Sequence, residues 1–228
     1  MSTSTLAHIP AGPVTIEGML EIPEGAIGLV LFAHGSGSSR HSPRNNYVAG
    51  MLRQVGVGTL LMDLLTPEED RDYAQRFDIG LLTRRLLDAA RWVGAQESTR
   101  NLPLGFFGAS TGAAAALEAA AALGDQARAV VSRGGRPDLA SEQALMKVAA
   151  PTLLLVGGYD DGVIDLNQLA YDQLRCEKEM VIVPGATHLF EEPGTLEAVA
   201  SRAAGWFAEH FVSSPRRLSP QRQTPGPN

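Results

Sequence analysis

The sequence predicts an α/β fold in which a mostly parallel β-sheet is covered by helices on both faces. Short apolar segments of strand length alternate with longer segments whose apolar residues recur at helical spacing. Residues 28–33 are apolar throughout, as strands buried on both faces of a parallel sheet are. Strands separated by helices are joined by right-handed crossovers, which place parallel strands side by side.

The elements follow from these patterns in order along the chain. The first is predicted to be an antiparallel hairpin of residues 14–16 and 19–22, joined by Glu17 and Gly18. Apolar segments predict further strands at residues 28–33, 57–62, 102–107, 129–131, 152–156 and 180–183. Helical spacing, helped by an alanine run, predicts helices at residues 47–54, 79–93, 113–123, 168–174 and 196–211.

Length and composition predict one folded domain, residues 1–212, followed by a tail. The 228 residues, 44% of them hydrophobic, are enough to bury a core. Residues 213–228 are rich in proline, arginine and polar residues, so we expect a disordered tail. Its arginines are expected to be solvated, with contact to an anionic partner as the alternative.

Charge and cysteine content exclude several classes of protein. A net charge of −6 leaves no basic surface for nucleic acid, and no apolar run is long enough to cross a membrane. The single cysteine cannot form an internal disulfide, and the first residues lack a secretory signal pattern, so we expect a cytoplasmic protein. No residue cluster has metal-ligand spacing, so neither a metal nor a cofactor is expected. A homodimer is left open.

A serine between two glycines marks the predicted nucleophile. Ser110 lies in Gly108-Ala109-Ser110-Thr111-Gly112, between a predicted strand and an alanine-rich helix. This pattern at a strand-to-helix junction is typical of a nucleophile elbow, where small neighbours permit a tight turn. The helix N-terminus also directs unpaired N–H groups toward the serine. The alternative is a glycine-rich turn without a catalytic role.

A second strand end carries His34-Gly35-Ser36-Gly37, a glycine-rich turn with free backbone N–H groups. We predict that the N–H groups of Ser36 and Thr111 form an oxyanion hole. The alternative is that the glycines only make a tight turn. His34 is expected to orient this loop through hydrogen bonds rather than to act as a base.

Two further strand ends supply an acid and a base. Asp160 and Asp161 follow the strand at 152–156, where a triad acid would accept the histidine N–H. Asp160 is our choice and Asp161 the reserve; the alternative is a turn whose helix is capped by Asp161 or Asp165. His188 is the predicted base, because it alone among the five histidines follows the acid in a loop after a strand. The order serine, acid, histidine is the one expected of such a sheet.

Taken together, these segments resemble the α/β hydrolases, and more narrowly the dienelactone-hydrolase-like branch. The resemblance rests on residues 34–45, 108–112, 156–160 and 185–188. It implies a sheet of eight strands without a large cap, since residues 133–150 are too few to form one. It also favours Asp160 as the acid, because family members place it after a V-G-x-x-D stretch.

The sequence departs from dienelactone hydrolases proper, which resemble this chain but use a cysteine nucleophile. Ser110 stands at the elbow here, and Cys176 lies on a predicted helix end far from the motifs. We therefore expect a carboxylesterase that acts on short-chain acyl esters, with a small-molecule ester as its partner. Similar domains occur fused to phosphoribosyltransferases, but no phosphoribosyl-pyrophosphate loop is recognisable in this sequence.

The predicted substrate-binding residues are polar side chains on or near strand-end loops: Arg40, His41, Tyr47, Arg133, Arg136 and Tyr159. Arg133 and Arg136 are candidates for binding an acidic acyl group, and the alternative for both is surface solvation or an internal ion pair. A thioesterase, an acyltransferase, a peptidase or a dienelactone-type lactone hydrolase would use the same triad. A non-catalytic binding protein is the alternative outside enzymes.

Overall fold

The computed structural model describes residues 3–212 of the chain. The predicted tail, residues 213–228, lies outside the described residues. Residues 3–212 form a single sheet of eight strands in the order β1-β2-β4-β3-β5-β6-β7-β8. The strands are β1 (Thr3–Ala11), β2 (Val14–Ile22), β3 (Gly28–Ala33), β4 (Val57–Met62), β5 (Leu104–Ala109), β6 (Ala127–Arg133), β7 (Thr152–Gly157) and β8 (Lys178–Val183).

The sheet is mostly parallel, as predicted. Strand β2 pairs antiparallel with both β1 and β4, and every other neighbouring pair is parallel. The carboxyl ends of β3, β5, β6 and β7 therefore meet at one edge of the sheet. In open sheets of this kind, loops at that edge carry the functional groups.

Helices cover both faces of the sheet, which confirms the predicted layers. They are α1 (Pro43–Gln54), α2 (Ile79–Ala95), α3 (Thr111–Leu123), α4 (Glu142–Lys147), α5 (Asp161–Gln173) and α6 (Thr195–Val212). Helices α1 and α6 pack over one apolar core, and the others pack over the second core on the opposite face. The short helix α4 was not predicted, because six residues are too few to give a helical period.

The predicted hairpin was placed at the wrong turn. Strand β2 runs without a break through Glu17 and Gly18, and the hairpin turn lies at Gly12, which has a φ of 66°. Gly18 is needed instead for close packing against β4, because a Cβ there would lie 2.8 Å from Leu60 Cδ1. Strand β1 escaped prediction because its Pro10 argues against a strand, although proline is tolerated in an edge strand such as this one.

The alanine run forms α3, the helix that follows Ser110. Residues Ala113 to Ala116 are fully buried, and Ala114 to Ala116 belong to the core between this helix and the sheet. Small side chains let the helix axis approach the strands closely, which accounts for the run without invoking low complexity.

No large cap covers the carboxyl edge within residues 3–212. The longest connection there joins β4 to α2 and contains only two single-turn 3-10 helices, Glu69–Arg71 and Gln75–Phe77. None of the helices in this range has the length and apolarity needed to span a membrane.

Candidate active site

Ser110 occupies a strained position between β5 and α3. Its φ of 49° and ψ of −124° lie where residues with a side chain are rarely found. Three backbone hydrogen bonds hold the turn: Ser110 N donates to Arg133 O at 3.4 Å, and Ser110 O accepts from Arg136 N at 3.0 Å and from Ala113 N at 3.1 Å. The Ser110 side chain makes no capping hydrogen bond to α3. The hydroxyl is thus presented at the sheet edge rather than used to cap the helix.

The two glycines of the motif are required by packing. A Cβ at Gly108 would lie 2.4 Å from Ala113 Cα, and one at Gly112 would lie 2.2 Å from Ala33 O. Both contacts are with backbone atoms, so neither can be relieved by moving a side chain. The tight strand-to-helix turn therefore depends on glycine at both positions.

An aspartate and a histidine pair at the same edge of the sheet. Asp160 Oδ2 lies 2.6 Å from His188 Nδ1, and their side chains are 17% and 38% exposed. Asp160 occupies the N-cap position of α5, but its side chain makes no capping hydrogen bond, while Asp161 is the first residue of the helix. The geometry separates two residues that sequence spacing left as alternatives: Asp160 contacts the histidine. With Nδ1 donating to this carboxylate, Nε2 is left for another partner.

The end of β6 lies between Ser110 and the histidine. Gly134 follows Arg133, whose carbonyl accepts the Ser110 N–H. A Cβ at Gly134, which has a φ of 48°, would lie 3.0 Å from His188 O and 3.7 Å from His188 Cε1. Ser110, Asp160 and His188 are thus brought to one strand end from three separate loops.

The loop that carries His188 is held by residues that the sequence analysis missed. Glu192 accepts hydrogen bonds from Thr187 Oγ1 at 2.6 Å and from Thr187 N at 3.0 Å. These bonds, the one from the hydroxyl first, lower the pKa of the Glu192 carboxyl. Phe190 is 1% exposed and has a φ of 56°, so burial of its ring holds the loop in a conformation unusual for phenylalanine. No local sequence motif predicts the hydrogen bonds of Glu192 or the buried position of Phe190.

The predicted oxyanion donors lie together, but one of them already has a partner. Ser36 N donates to Thr111 Oγ1 at 3.1 Å. This bond ties the glycine-rich loop to the first residue of α3. The prediction that Ser36 N–H is free therefore needs correction: it is available to an oxyanion only if it is shared with, or released by, the Thr111 hydroxyl.

His34 has the structural position expected for it. Its Nδ1 lies 2.9 Å from Gly35 O, and its Nε2 accepts the Leu64 N–H at 3.1 Å. Both ring nitrogens are engaged, which corresponds to the neutral tautomer with hydrogen on Nδ1. Burial lowers the pKa of His34 below its ordinary value, against weaker opposing contributions. A buried neutral imidazole with both nitrogens occupied does not serve as a base for Ser110.

Arg40, a predicted substrate-binding residue, is already paired within the protein. Its guanidinium forms ion pairs with Asp63 and, at 2.6 Å, with Glu17. Its backbone N–H also donates to Asp63 Oδ1 at 2.7 Å. These two carboxylates tie Arg40 and the loop before α1 to the sheet, and a role of Arg40 in substrate binding stays a prediction.

The remaining predicted substrate residues differ in their surroundings. His41, Tyr47 and Tyr159 are exposed, and Tyr159 N donates to Ala186 O at 2.9 Å, next along the chain to Asp160. Their contacts neither support nor oppose a role in substrate binding, which stays a prediction.

The two arginines after β6 have opposite environments. Arg136 forms a two-point ion pair with Asp138, at 2.8 and 2.7 Å, which raises the pKa of Arg136. This is the internal ion pair considered above. Arg133 is mostly buried and forms no ion pair with the described residues: it is 8% exposed, and its Nε and Nη1 are buried without a hydrogen-bond partner among them.

Residues 3–212 contain no group of three or more His, Cys, Asp or Glu side chains placed to hold a metal ion. Cys176, half-buried, donates a weak hydrogen bond to Thr152 Oγ1 near the start of β7, at the opposite end of that strand from Asp160.

The sequence was compared with family models, curated proteins and solved structures. No family model matches the sequence. Among curated proteins it is 58% identical over 204 residues to two Mycobacterium tuberculosis proteins named "Putative phosphoribosyl transferase". The match covers 90% of this chain but 46% of each relative, so the chain spans about half their length.

Several solved structures match nearly the whole length of this chain. A dienelactone hydrolase from Anabaena variabilis is 54% identical with a TM-score of 0.88, and the match covers 92% of this chain and 98% of that one. The fold is shared with more distant proteins. Est1E from Butyrivibrio proteoclasticus has 16% identity and a TM-score of 0.77, with 90% and 98% of the two chains covered. A Xanthomonas campestris α/β serine hydrolase without a lid has 22% identity and a TM-score of 0.70, with 97% of each chain covered. The chain therefore belongs to the dienelactone-hydrolase-like family of the α/β hydrolases.

Proposed function

We propose that this protein is a carboxylesterase-type serine hydrolase that uses Ser110, His188 and Asp160 as nucleophile, base and acid. The observation that carries the proposal is the 2.6 Å contact between Asp160 Oδ2 and His188 Nδ1 at the strand end where Ser110 occupies its strained turn. Pairing of an acid with the far nitrogen of a histidine is the geometry that prepares the near nitrogen to take a proton. The family assignment supports the same chemistry.

The reaction follows from these positions. His188 Nε2 removes the proton of the Ser110 hydroxyl as Oγ attacks the ester carbonyl carbon. The bond to the alcohol oxygen then breaks, and His188 gives its proton to the leaving alcohol. The acyl group is now bound to Ser110. Water attacks it while His188 takes one water proton, and Ser110 regains its proton as the carboxylic acid leaves.

Negative charge on the carbonyl oxygen is stabilised at the N-terminus of α3. The Thr111 N–H is the first amide of that helix, and the helix dipole favours negative charge at this end. Ser36 N–H is the second donor in the proposal, and in the reaction its bond to Thr111 Oγ1 is shared with, or given up to, the oxyanion. A donor of this kind is typically worth about 3–4 kcal/mol of the barrier.

The substrate class is proposed from the openness of the site. The carboxyl edge has no large cap within the described residues, so nothing there encloses a long acyl chain. We therefore propose small esters with short acyl chains as substrates. The cytoplasmic location and the oligomeric state stay predictions.

Labelling by a fluorophosphonate probe and hydrolysis of p-nitrophenyl acetate test the proposal together. Wild type is expected to be labelled and active, and Ser110→Ala to lose both. Ser38→Ala, in the neighbouring loop, is the matched control and is expected to keep both. If Ser110→Ala retains wild-type hydrolysis, Ser110 is not the nucleophile.

The same protein separates the proposal from other uses of the triad. A panel of p-nitrophenyl esters from acetate to octanoate, a thioester, a peptide and a lactone ranks the acyl groups and leaving groups. Added alcohols at increasing concentration report transfer, because an acyltransferase forms a new ester in proportion to the acceptor. An esterase is expected to prefer the short oxygen esters and to release free acid.

A further inference from the structure

Asn167 is a fully buried polar side chain that belongs to none of the sequence motifs described above. It lies in α5 and is 0% exposed. Its Nδ2 donates two hydrogen bonds, to Gly135 O at 3.0 Å and to Val163 O at 2.8 Å. Both partners are carbonyl oxygens, so only the NH2 end of the amide can face them. The side chain therefore joins α5 to the segment that follows β6.

The other end of the Asn167 amide is not satisfied. Its Oδ1 is buried and has no hydrogen-bond partner among residues 3–212. A buried acceptor left unpaired destabilises the folded state, whereas an apolar side chain of the same shape carries no such cost. What asparagine adds here over leucine is therefore the pair of bonds from its NH2 group.

The bond to Gly135 O acts on the peptide group that supports the nucleophile turn. The Gly135 C=O and the Arg136 N–H belong to one planar peptide unit. The Arg136 N–H donates to Ser110 O at 3.0 Å. The unit is thus held at both ends, at its oxygen by Asn167 and at its N–H by Ser110. Rotation of this peptide would break both bonds, and donation to the carbonyl also strengthens the N–H as a donor.

Close packing fixes the same segment against its other neighbours. A Cβ at Gly135 would lie 2.5 Å from Ala113 Cβ in the first turn of α3. The preceding residue, Gly134, donates its N–H to Leu155 O on β7 at 2.8 Å. The two glycines are therefore held against α3 and β7, and the bond from Asn167 adds the contact with α5.

Asn167 is also connected to the proposed acid. Its second partner, Val163, donates its own N–H to Asp160 O at 2.9 Å. A path of hydrogen bonds therefore leads from the backbone of Asp160 through α5 to Asn167. From there it continues through the Gly135 peptide to Ser110. Every other link in this path is a backbone group, so Asn167 supplies its one side chain.

We propose that Asn167 is a positioning residue, which sets the spacing between the turn that carries Ser110 and the helix start that carries Asp160. The inference rests on the proposed function, because this spacing affects a reaction only if the two residues act together with His188. Misplacement of a reacting group by about 1 Å can slow a reaction about 100-fold. Loss of the link is therefore expected to slow the chemical steps and to leave substrate binding unchanged.

Asn167→Leu removes the link and nearly keeps the volume and shape of the side chain. In hydrolysis of p-nitrophenyl acetate, kcat is expected to fall about 10- to 100-fold. KM is expected to change by less than about threefold, because acylation and deacylation use the same triad. The rate constant for fluorophosphonate labelling of Ser110 is expected to fall by a similar factor. Asn167→Ser, whose hydroxyl can bond Val163 O but is too short for Gly135 O, should act in the same direction and carries the test if Asn167→Leu does not fold.

Thr99→Val is the matched control. Thr99 is 3% exposed, and its Oγ1 donates to Val93 O at 2.6 Å ahead of the amino end of β5, away from the triad. This variant also removes a buried bond from a side chain to a backbone carbonyl, and it is expected to keep the wild-type kcat and labelling rate. If it lowers kcat as much as Asn167→Leu at a similar loss in the free energy of unfolding, the effect is general destabilisation and the positioning role is refuted.

Hydrogen exchange of the Arg136 amide tests the link independently of activity. In Asn167→Leu this amide is expected to exchange at least tenfold faster than in wild type, measured relative to the amides of β7. Unchanged exchange refutes the proposal. Unchanged kcat in the variant of an active, labelled enzyme also refutes it and leaves the hydrolase standing. A wild type that is neither active nor labelled refutes the proposed function, and exchange at Arg136 alone then decides whether Asn167 holds the turn.

Discussion

Replacing Asp160 by Asn removes the charge beside His188 while keeping the size of the side chain. In the proposed reaction His188 becomes an imidazolium in the transition state, and Asp160 stabilises it across the 2.6 Å contact. The histidine side chain is 38% exposed, so the dielectric constant of dry protein does not apply. At an effective dielectric constant of about 20 and a charge separation of about 4 Å, the interaction is about 4 kcal/mol.

This interaction predicts the size of the effect on catalysis. Since about 1.4 kcal/mol corresponds to a tenfold change in rate, Asp160→Asn is expected to lower kcat about 10³-fold. Asn also presents an amide group that favours the wrong histidine tautomer, which acts in the same direction. The folded state is expected to keep its free energy of unfolding within about 1 kcal/mol, because Asn is a good residue at the N-cap position that Asp160 occupies.

The assay is hydrolysis of p-nitrophenyl acetate, with urea unfolding as the measure of stability. Asp161→Asn is the matched control: it removes the same charge one residue later and is expected to change kcat by less than about threefold. Equal losses in the two variants would show that general charge near α5 matters rather than the contact with His188. An active Asp160→Asn enzyme would refute the assigned role of the acid.

Three further predictions concern packing, pH and the histidine loop. Gly112→Ala is expected to destabilise the protein by more than about 2 kcal/mol in urea unfolding, because its Cβ would lie 2.2 Å from a backbone oxygen of β3. Gly205→Ala, at an exposed helical position with nothing within 4 Å, is expected to be stabilising by about 0.5–1 kcal/mol, and the opposite order would contradict the packing argument. The pKa of His34 is lowered in the folded state, so the unfolded state binds the proton first and stability is expected to fall as the pH drops below about 6.5, by at most about 1.4 kcal/mol per pH unit. Urea unfolding between pH 7.5 and 5.5 measures this, and His34→Gln should flatten the dependence; equal slopes would mean that other groups cause it. Glu192→Ala releases both hydrogen bonds from Thr187 and is expected to lower kcat roughly 10- to 100-fold by misplacing the base, with partial recovery in Glu192→Gln, whereas unchanged kcat would show that the loop is held without them.

Much of the fold was accessible from the sequence because burial leaves a periodic pattern. Strands β3 and β4 and helix α6 agree with the prediction to within a residue at each end. The hairpin was misplaced because a glycine has two uses: Gly12 makes a turn, whereas Gly18 permits close contact with β4. Sequence pattern does not distinguish these uses, since the second depends on a strand about 40 residues away.

In the candidate site, too, some features were predicted from the sequence and others needed the structure. The serine elbow, the proposed acid and the proposed base were predicted from local motifs at strand ends, since parallel strands bring their carboxyl ends to one edge. The choice of Asp160 over Asp161 needed the structure, because only the fold decides which of two neighbouring carboxylates faces a loop 28 residues later. The ion pairs of Arg40 were missed for a similar reason: its carboxylate partners lie on β2 and just after β4.

By itself, the sequence determined the α/β architecture, the family resemblance and the kind of chemistry, because each depends on residues that are close along the chain. Tertiary structure alone decided which polar groups are partnered. It paired Arg136 with Asp138 and Arg40 with Glu17, and it occupied the Ser36 N–H with Thr111 Oγ1. It left the Arg133 Nε and Nη1 buried without a hydrogen-bond partner among residues 3–212. Partnership and burial depend on groups that converge from distant segments, so an arginine in the sequence is compatible with a surface cation, an ion pair or a buried unpaired cation until the chain is folded.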